Sequence, residues 1–233
     1  MVSNTTLPLP SSGLAHRDVP ALQMVDYAYN ARGSMTQIND IDNLQDDLFA
    51  YRMHYDDPTT ASGASPMYNG NVAEVQWRTQ NDGSPRGYGY AYDALSRIKE
   101  ATDNTGNYNI SNISYDKNGN LLTLNRKGWG NFNGNNAFGD IDILNYSSYE
   151  GNKLLKVTDG GNIIEGFTYT SGAAVDYTYD ANGNMTSDAN KDITLIEYNH
   201  LDLPTKITFA NGEYITYLYD AMGTKLKKTV FLN

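Results

Sequence analysis

A six-residue phrase occurs twice in this chain and limits the folds that it can adopt. The letters YDKNGN at 115–120 return as YDANGN at 179–184, with five of six unchanged. With Tyr as position zero, related segments place Asp or Asn at position one and most often Gly at position four. Such recurrence indicates one supersecondary unit used many times. Six clear copies begin at Tyr29, Tyr92, Tyr115, Tyr179, Tyr198 and Tyr219, and two degenerate copies begin at Tyr55 and Tyr149.

The letters of the repeat predict a β-hairpin turn. Tyrosines that recur at a spacing of two place their rings on one face of a strand. Asp or Asn at position one offers an acceptor for backbone N–H groups further on, and Gly at position four tolerates a positive φ. A type I turn followed by a left-handed residue fits this order. We therefore predict structural turn roles for Tyr29, Gly33, Tyr92, Asp93, Tyr115, Asp116, Gly119, Tyr179, Asp180, Gly183, Tyr198, Tyr219, Asp220 and Gly223.

The composition agrees with many short strands joined by tight turns. The 233 residues include 19 Tyr and 21 Gly, which favour pleated surfaces and turns respectively. A net charge of −10 argues against nucleic acid and anionic membranes as partners, because both require clustered basic residues. The absence of Cys excludes disulfides and thiolate chemistry. We expect an all-β protein without a cofactor.

The expected organisation is a segment at 1–24, an N-terminal tail or edge, followed by a repeat domain at 25–233 of about eight units. One stretch departs from the β pattern. In INDIDNLQDDLF the apolar residues fall at three- and four-residue spacings, which predicts one short helix near 40–49. The Gly- and Asn-rich stretch at 125–140 is predicted to be an inserted surface loop on composition.

These repeats resemble the YD repeat of the RHS (rearrangement-hotspot) proteins, a family related to the teneurins and to the shell subunits of insecticidal toxin complexes. DYTYDANGNM and YLYDAMGTKLKK carry the match most specifically, and YNARG, YDALSRI and NHLDLPTKI are similar to the bacterial forms. The resemblance implies tandem hairpins in a curved or spiralling antiparallel sheet, as part of a β-shell. It also implies a non-enzymatic scaffold that encloses or presents a C-terminal toxin polypeptide. The chain ends after a repeat, so we expect a fragment lacking the core segment and toxin domain.

The resemblance further implies a secreted or cell-surface location and a polypeptide partner, either further repeats or an enclosed domain. No basic and apolar signal peptide opens the chain, and no apolar run is long enough to insert into a membrane. An open repeat sheet has unpaired edges, so self-association through those edges is also predicted.

A metal site in the turn is the first alternative to a structural role. Asp180, Asn182 and Asn184 have the one-three-five spacing that opens an EF-hand calcium loop. However, Gly falls at loop position four instead of six, and position twelve is Lys191 instead of Glu. The copy at Asp116 departs in the same way. We therefore predict no metal site.

Catalysis finds little support in the sequence. The three histidines, His16, His54 and His200, are isolated from one another and belong to no triad or metal motif. Adjacent acids at Asp46/Asp47 and Asp56/Asp57 are typical of a solvated surface. We predict no catalytic residue, and an unrelated hydrolase ranks behind the other functions.

Aromatic residues leave a second function open, namely an adhesion or carbohydrate-binding module. Exposed aromatic rings bind sugars by stacking, and Trp77, Trp129 and Phe132 are the candidates for such a surface. Alternating Tyr on a repeat sheet is more commonly cross-strand packing. The sequence therefore favours the scaffold and keeps carbohydrate binding as the alternative.

Overall fold

The computed structural model describes residues 23–59, 62–169 and 174–233, apart from the side chain of residue 147. The predicted segment at 1–24, with His16, lies almost entirely outside the described residues. The chain divides into two compact units, Met1–Asn109 and Ile110–Asn233. Nearly all regular structure is β-strand, so the predicted all-β class is confirmed.

In the described part of the first unit, six strands pair antiparallel with their neighbours in sequence. Each strand is short, and each hairpin returns the chain beside the strand it has just left. The strands are β1 (Tyr27–Tyr29), β2 (Met35–Ile38), β3 (Phe49–His54), β4 (Glu74–Thr79), β5 (Arg86–Tyr92) and β6 (Ile98–Asp103).

The second unit follows the same rule of pairing between sequence neighbours. One series of antiparallel pairs consists of β7 (Ile110–Tyr115), β8 (Leu121–Phe132), β9 (Asn135–Glu150) and β10 (Lys153–Asp159). A six-stranded sheet follows, with β11 (Tyr177–Tyr179), β12 (Met185–Asp188), β13 (Ile193–Tyr198), β14 (Pro204–Phe209), β15 (Tyr214–Tyr219) and β16 (Lys225–Phe231). A 3-10 turn, Ala189–Lys191, joins β12 to β13.

A small hydrophobic core lies in the second unit. Leu144, Val157 and Tyr177 are buried there, and β8 and β12 add partly buried apolar side chains around them. Across both units most strand residues are only half-buried. Hydrogen bonds in the sheets and turns therefore carry more of the structure than a deep core does.

The helix predicted near 40–49 is wrong. Residues 39–48 form two tight turns, because Asn39 and Gln45 have left-handed φ angles of 53° and 46°, which a right-handed helix excludes. The Asp40 carboxylate accepts a hydrogen bond from the backbone N–H of Asp42 at 3.0 Å. Asp and Asn side chains that bond nearby backbone in this way compete with helix formation.

The loop predicted at 125–140 is also wrong, since β8 and β9 run through it as one long hairpin. Side chains alternate strictly there: Gly128 and Gly130 are buried, and Trp129 between them is exposed. The Gly and Asn content predicted an inserted surface loop. The glycines instead lie in a strand whose backbone is closely approached on one face.

Candidate functional site

The six clear repeats build the same turn. At position one, a side-chain oxygen of Asp or Asn accepts hydrogen bonds from the backbone N–H groups at positions three and five, at 2.8 to 3.1 Å. At position four φ is positive in every copy. The residues there are Gly33, Ser96, Gly119, Gly183, Asp202 and Gly223.

Backbone bonds close each turn in the same way. The N–H at position one donates to the carbonyl at position five, and the N–H at position four donates back to the carbonyl at position one. The strand register shifts at the motif tyrosine itself, as at Tyr92, Tyr179 and Tyr219. The position-one residue is thus an acceptor that holds a bulged turn together.

Hydrogen bonding lowers the pKa of the aspartates at position one. For Asp93 and Asp220 the largest cause is the hydrogen bond from the backbone N–H at position five. For Asp116 and Asp180 partial desolvation raises the pKa, but hydrogen bonds from the Asn at position five and from turn amides outweigh it. The charged form of these carboxylates is therefore part of the folded turn.

The hydroxyl of the motif tyrosine bonds to the preceding repeat. It donates to a backbone carbonyl just after the previous turn, six residues beyond the previous motif tyrosine in four cases. The pairs of this kind are Tyr55 to Met35, Tyr149 to Leu121, Tyr198 to Met185 and Tyr219 to Pro204, at 2.7 to 3.0 Å. Tyr179 reaches Leu154 and Tyr92 reaches Val72 in the same manner, each at 2.7 Å.

The letters NGN that end both copies of the six-residue phrase have the same structural explanation. Asn182 and Asn184 both donate side-chain hydrogen bonds to Asp202 in the next turn, at 3.2 and 2.8 Å. In the other copy, the Asn residues at positions three and five both donate to Asn152, at 3.2 and 3.0 Å. These bridges join successive turns along one end of the sheet. Sequence reasoning missed them and the tyrosine links, because their acceptors lie 13 to 34 residues away.

The turn oxygens are committed to protein donors. Among residues 23–59, 62–169 and 174–233, no group of three or more His, Asp or Glu side chains is placed to hold a metal ion. The Asp180 carboxylate accepts two backbone N–H groups and the side chain of Asn184. The geometry of the turn is thus explained by hydrogen bonds within the chain.

The described histidines, His54 and His200, lie in different surroundings. His54 is buried, and its Nδ1 lies 3.4 Å from the Asp57 carboxylate. His200 is exposed in the Tyr198 turn. Asp46 is exposed in the turns that replace the predicted helix.

Two buried carboxylates anchor the covering segments, the non-strand segments that lie over the sheets. These segments contain Thr59 and Ser62 in the first unit and Phe167 in the second. Glu74, 2% exposed, accepts hydrogen bonds from the Thr59 backbone N–H and hydroxyl and from the Ser62 hydroxyl, at 2.6 to 3.0 Å. In the second unit Asp142, also 2% exposed, pairs with Arg126 and accepts from the Phe167 backbone N–H at 2.6 Å. Nothing in the repeat pattern distinguishes these acids from surface ones, so their burial could not be predicted from the sequence.

The three candidate sugar-stacking residues lie in different surroundings. Trp77, in β4 of the first unit, is half-buried and stacks on Tyr88 with ring centroids 6.0 Å apart. Trp129 and Phe132 are both in β8, but three residues apart, so they lie on opposite faces. Trp129 is 53% exposed, whereas the Phe132 ring lies over Gly139.

A helix long and apolar enough to cross a membrane does not occur within the described ranges. No protein-family model and no curated protein sequence matches the chain. Several solved structures do match the chain. A Photorhabdus luminescens Tc holotoxin pore structure matches with a TM-score of 0.56 at 15% identity, covering 88% of this chain. The TcdB2-TccC3 complex with Cdc42 gives 0.58 at 14% identity, and TcdB2-TccC3 alone gives 0.57 at 15% identity, each over the same 88%.

In each case this chain spans 11% of the length of the matched chain. The matched chains are Tc toxin shell proteins, which carry RHS/YD repeats. Identity of this order establishes the fold alone. Together with the repeated turn, it confirms the resemblance: this chain has the tandem hairpin fold of the YD-repeat shells of Tc toxins.

Proposed function

We propose that this chain is a non-enzymatic scaffold, a sheet segment of a YD-repeat shell that encloses or presents a polypeptide. The observation that carries the proposal is the link between repeats. In six repeats the motif tyrosine donates to a backbone carbonyl of the preceding repeat, so these hairpins are fixed to their predecessors. A chain built in this way can lengthen without needing a central core.

The sheet edge supports a polypeptide partner. β16 pairs with β15 on one side and is the last strand in the order of its sheet. An edge strand offers unpaired N–H and C=O groups to another strand. Val230 and Leu226 are exposed there, beside Lys227 and Lys228. A further repeat, or the edge of a second copy, is the partner that this edge fits.

Amide exchange with increasing protein concentration tests the edge. If a second copy pairs with β16, its amides should become slower to exchange as concentration rises, and light scattering should show a larger species. Amides of β14, which has strands on both sides, serve as the internal control because their protection should not change. A monomeric profile with unchanged β16 exchange over a broad concentration range would contradict self-association.

The scaffold proposal also has an enzymatic test. A broad hydrolase substrate panel should show no turnover. Turnover that disappears when one acidic residue is replaced, while the circular dichroism spectrum stays the same, would overturn a purely structural role.

A further inference from the structure

The hairpin of β8 and β9 extends beyond both of its neighbouring strands. Pairing of β7 with β8 ends at Arg126, and pairing of β10 with β9 ends at Leu144. Beyond these points, residues 127–132 and 135–140 pair with each other. We call this two-stranded part the ribbon. A two-stranded ribbon alone is at best marginally stable in water, so it needs support on one face.

The glycine face of the ribbon receives that support. A Cβ on Gly130 would come within 2.7 Å of the Glu165 side chain, so this glycine lets Glu165 pack directly against the strand. The Asn162 side chain donates to the Asn131 backbone carbonyl at 2.6 Å. The segment after β10 thus lies against one face and leaves the other face to solvent.

The solvent face has three consecutive cross-strand pairs of distinct chemistry. An aromatic pair, Trp129 with Phe138, lies in the middle, with ring centroids 5.0 Å apart at an interplanar angle of 67°. Trp129 is 53% exposed and Phe138 41%. The flanking pairs, also exposed, are Lys127 with Asp140 on one side and Asn131 with Asn136 on the other.

We propose that this face is a binding platform for an uncharged oligosaccharide. A flat indole presents a surface for the C–H face of a pyranose ring, and the neighbouring amides and charged groups can hydrogen-bond to ring hydroxyls. Three pairs at two-residue intervals span about 14 Å along the ribbon, the length of two to three sugar units.

Charge complementarity selects a neutral ligand. Lys127 and Asp140 lie opposite each other in the register, so their charges cancel locally, and the amide pair is uncharged. The rest of the chain carries a net negative charge, which disfavours an anionic glycan. The platform is independent of the scaffold proposal, since a shell segment could exist with or without it.

The structure also distinguishes among the three residues that the sequence suggested for sugar stacking. Phe132 lies on the opposite, covered face, and Trp77 is held half-buried against Tyr88. Phe138, which the sequence did not single out, holds the Trp129 ring from the facing strand. Trp129 is therefore the residue that should contact the sugar.

The test is a calorimetric titration of the chain with neutral glucose-, mannose- and N-acetylglucosamine-based oligosaccharides of two to six units. At least one should bind saturably. Trp129→Ala should weaken that binding at least tenfold, and Trp129→Phe should weaken it less because a smaller ring remains. Trp77→Ala is the matched control and should bind like the wild type. Since Trp129 is half-exposed, its variants should keep the wild-type circular dichroism and unfolding midpoint.

Several results would overturn the platform. No binding by any of these sugars would do so, as would binding that survives Trp129→Ala. Tighter, salt-dependent binding of an anionic oligosaccharide would show that charge governs the face instead. If Trp129→Ala changes only self-association in light scattering, the ribbon is a protein contact.

Discussion

The repeated turns and the covering segments hold the same kind of sheet in opposite ways. In a turn such as that at Asp180, one half-buried carboxylate accepts from amides two and four residues away, and other turns repeat the arrangement. In the covering segments a single buried acid, Glu74 or Asp142, accepts from groups 12 to 25 residues away. Stability from the turns is distributed and redundant, whereas in each covering segment several hydrogen bonds or ion pairs converge on one buried carboxylate.

The largest effect is expected at Asp142. Asp142→Ala removes the partner of Arg126 and leaves the Phe167 N–H without its acceptor, which should cost about 3 kcal/mol of unfolding free energy. Urea denaturation measures this loss. Asp140→Ala, at an exposed position of the same strand, is the control. Equal midpoints for the two variants would contradict the anchoring role.

Glu74 should follow with a smaller and more local effect. Glu74→Ala removes the acceptor of the Thr59 N–H, and we expect a loss of about 2 kcal/mol with faster exchange of the Thr59 amide. Glu100→Ala, exposed on β6, should leave that amide unchanged. The interpretation fails if Thr59 exchanges equally fast in both variants.

Links between repeats should each contribute less. Tyr198→Phe keeps the ring and removes the hydroxyl that donates to Met185, which should cost about 1 kcal/mol. A Tyr27→Phe variant, at an exposed ring in β1, is the comparison. Thermal unfolding should separate the two, and a larger loss at Tyr27 would argue against the link.

Backbone strain gives an effect of similar size. Gly119 has a φ of 90° with open space around its Cα, so Gly119→Ala should cost about 1 kcal/mol through strain alone. Ser96 occupies the same position with a φ of 62°, so Ser96→Gly should stabilise the protein instead. Chemical denaturation of the two variants should therefore shift in opposite directions.

The smallest effect per residue is the acid sensitivity of the turns. The folded-state pKa of Asp93, Asp116, Asp180 and Asp220 is lowered, so their contribution is present above the unfolded value of about 4. It is lost as pH falls through the lower folded value. The denaturation midpoint should decrease as the pH is lowered below 4. Asp-to-Asn replacement at three of these turns should make that decrease smaller. An unchanged pH profile would show that the carboxylate charge is unimportant.

The repeated turn could be predicted from the sequence because the residues that determine it lie within six positions of one another. The Asp180 carboxylate accepts from two backbone amides of its own turn, and Gly183 adopts the required positive φ because it has no side chain. The helix near 40–49 failed for the opposite reason. Its apolar spacing was helical, but the Asn39 side chain accepts from the Asp26 N–H, just before β1, and donates to the Phe49 carbonyl in β3, and so fixes a turn.

By itself the sequence determined the repeat, the direction reversal at each turn and the all-β class, because local hydrogen bonds and backbone angles fix them. Tertiary structure alone decided which tyrosine bonds to which carbonyl, and that Glu74 and Asp142 are buried anchors. It also decided that Trp129 faces solvent while Phe132 lies over Gly139. Those outcomes depend on which strands lie side by side, and pairing at long sequence separation leaves no local pattern of its own.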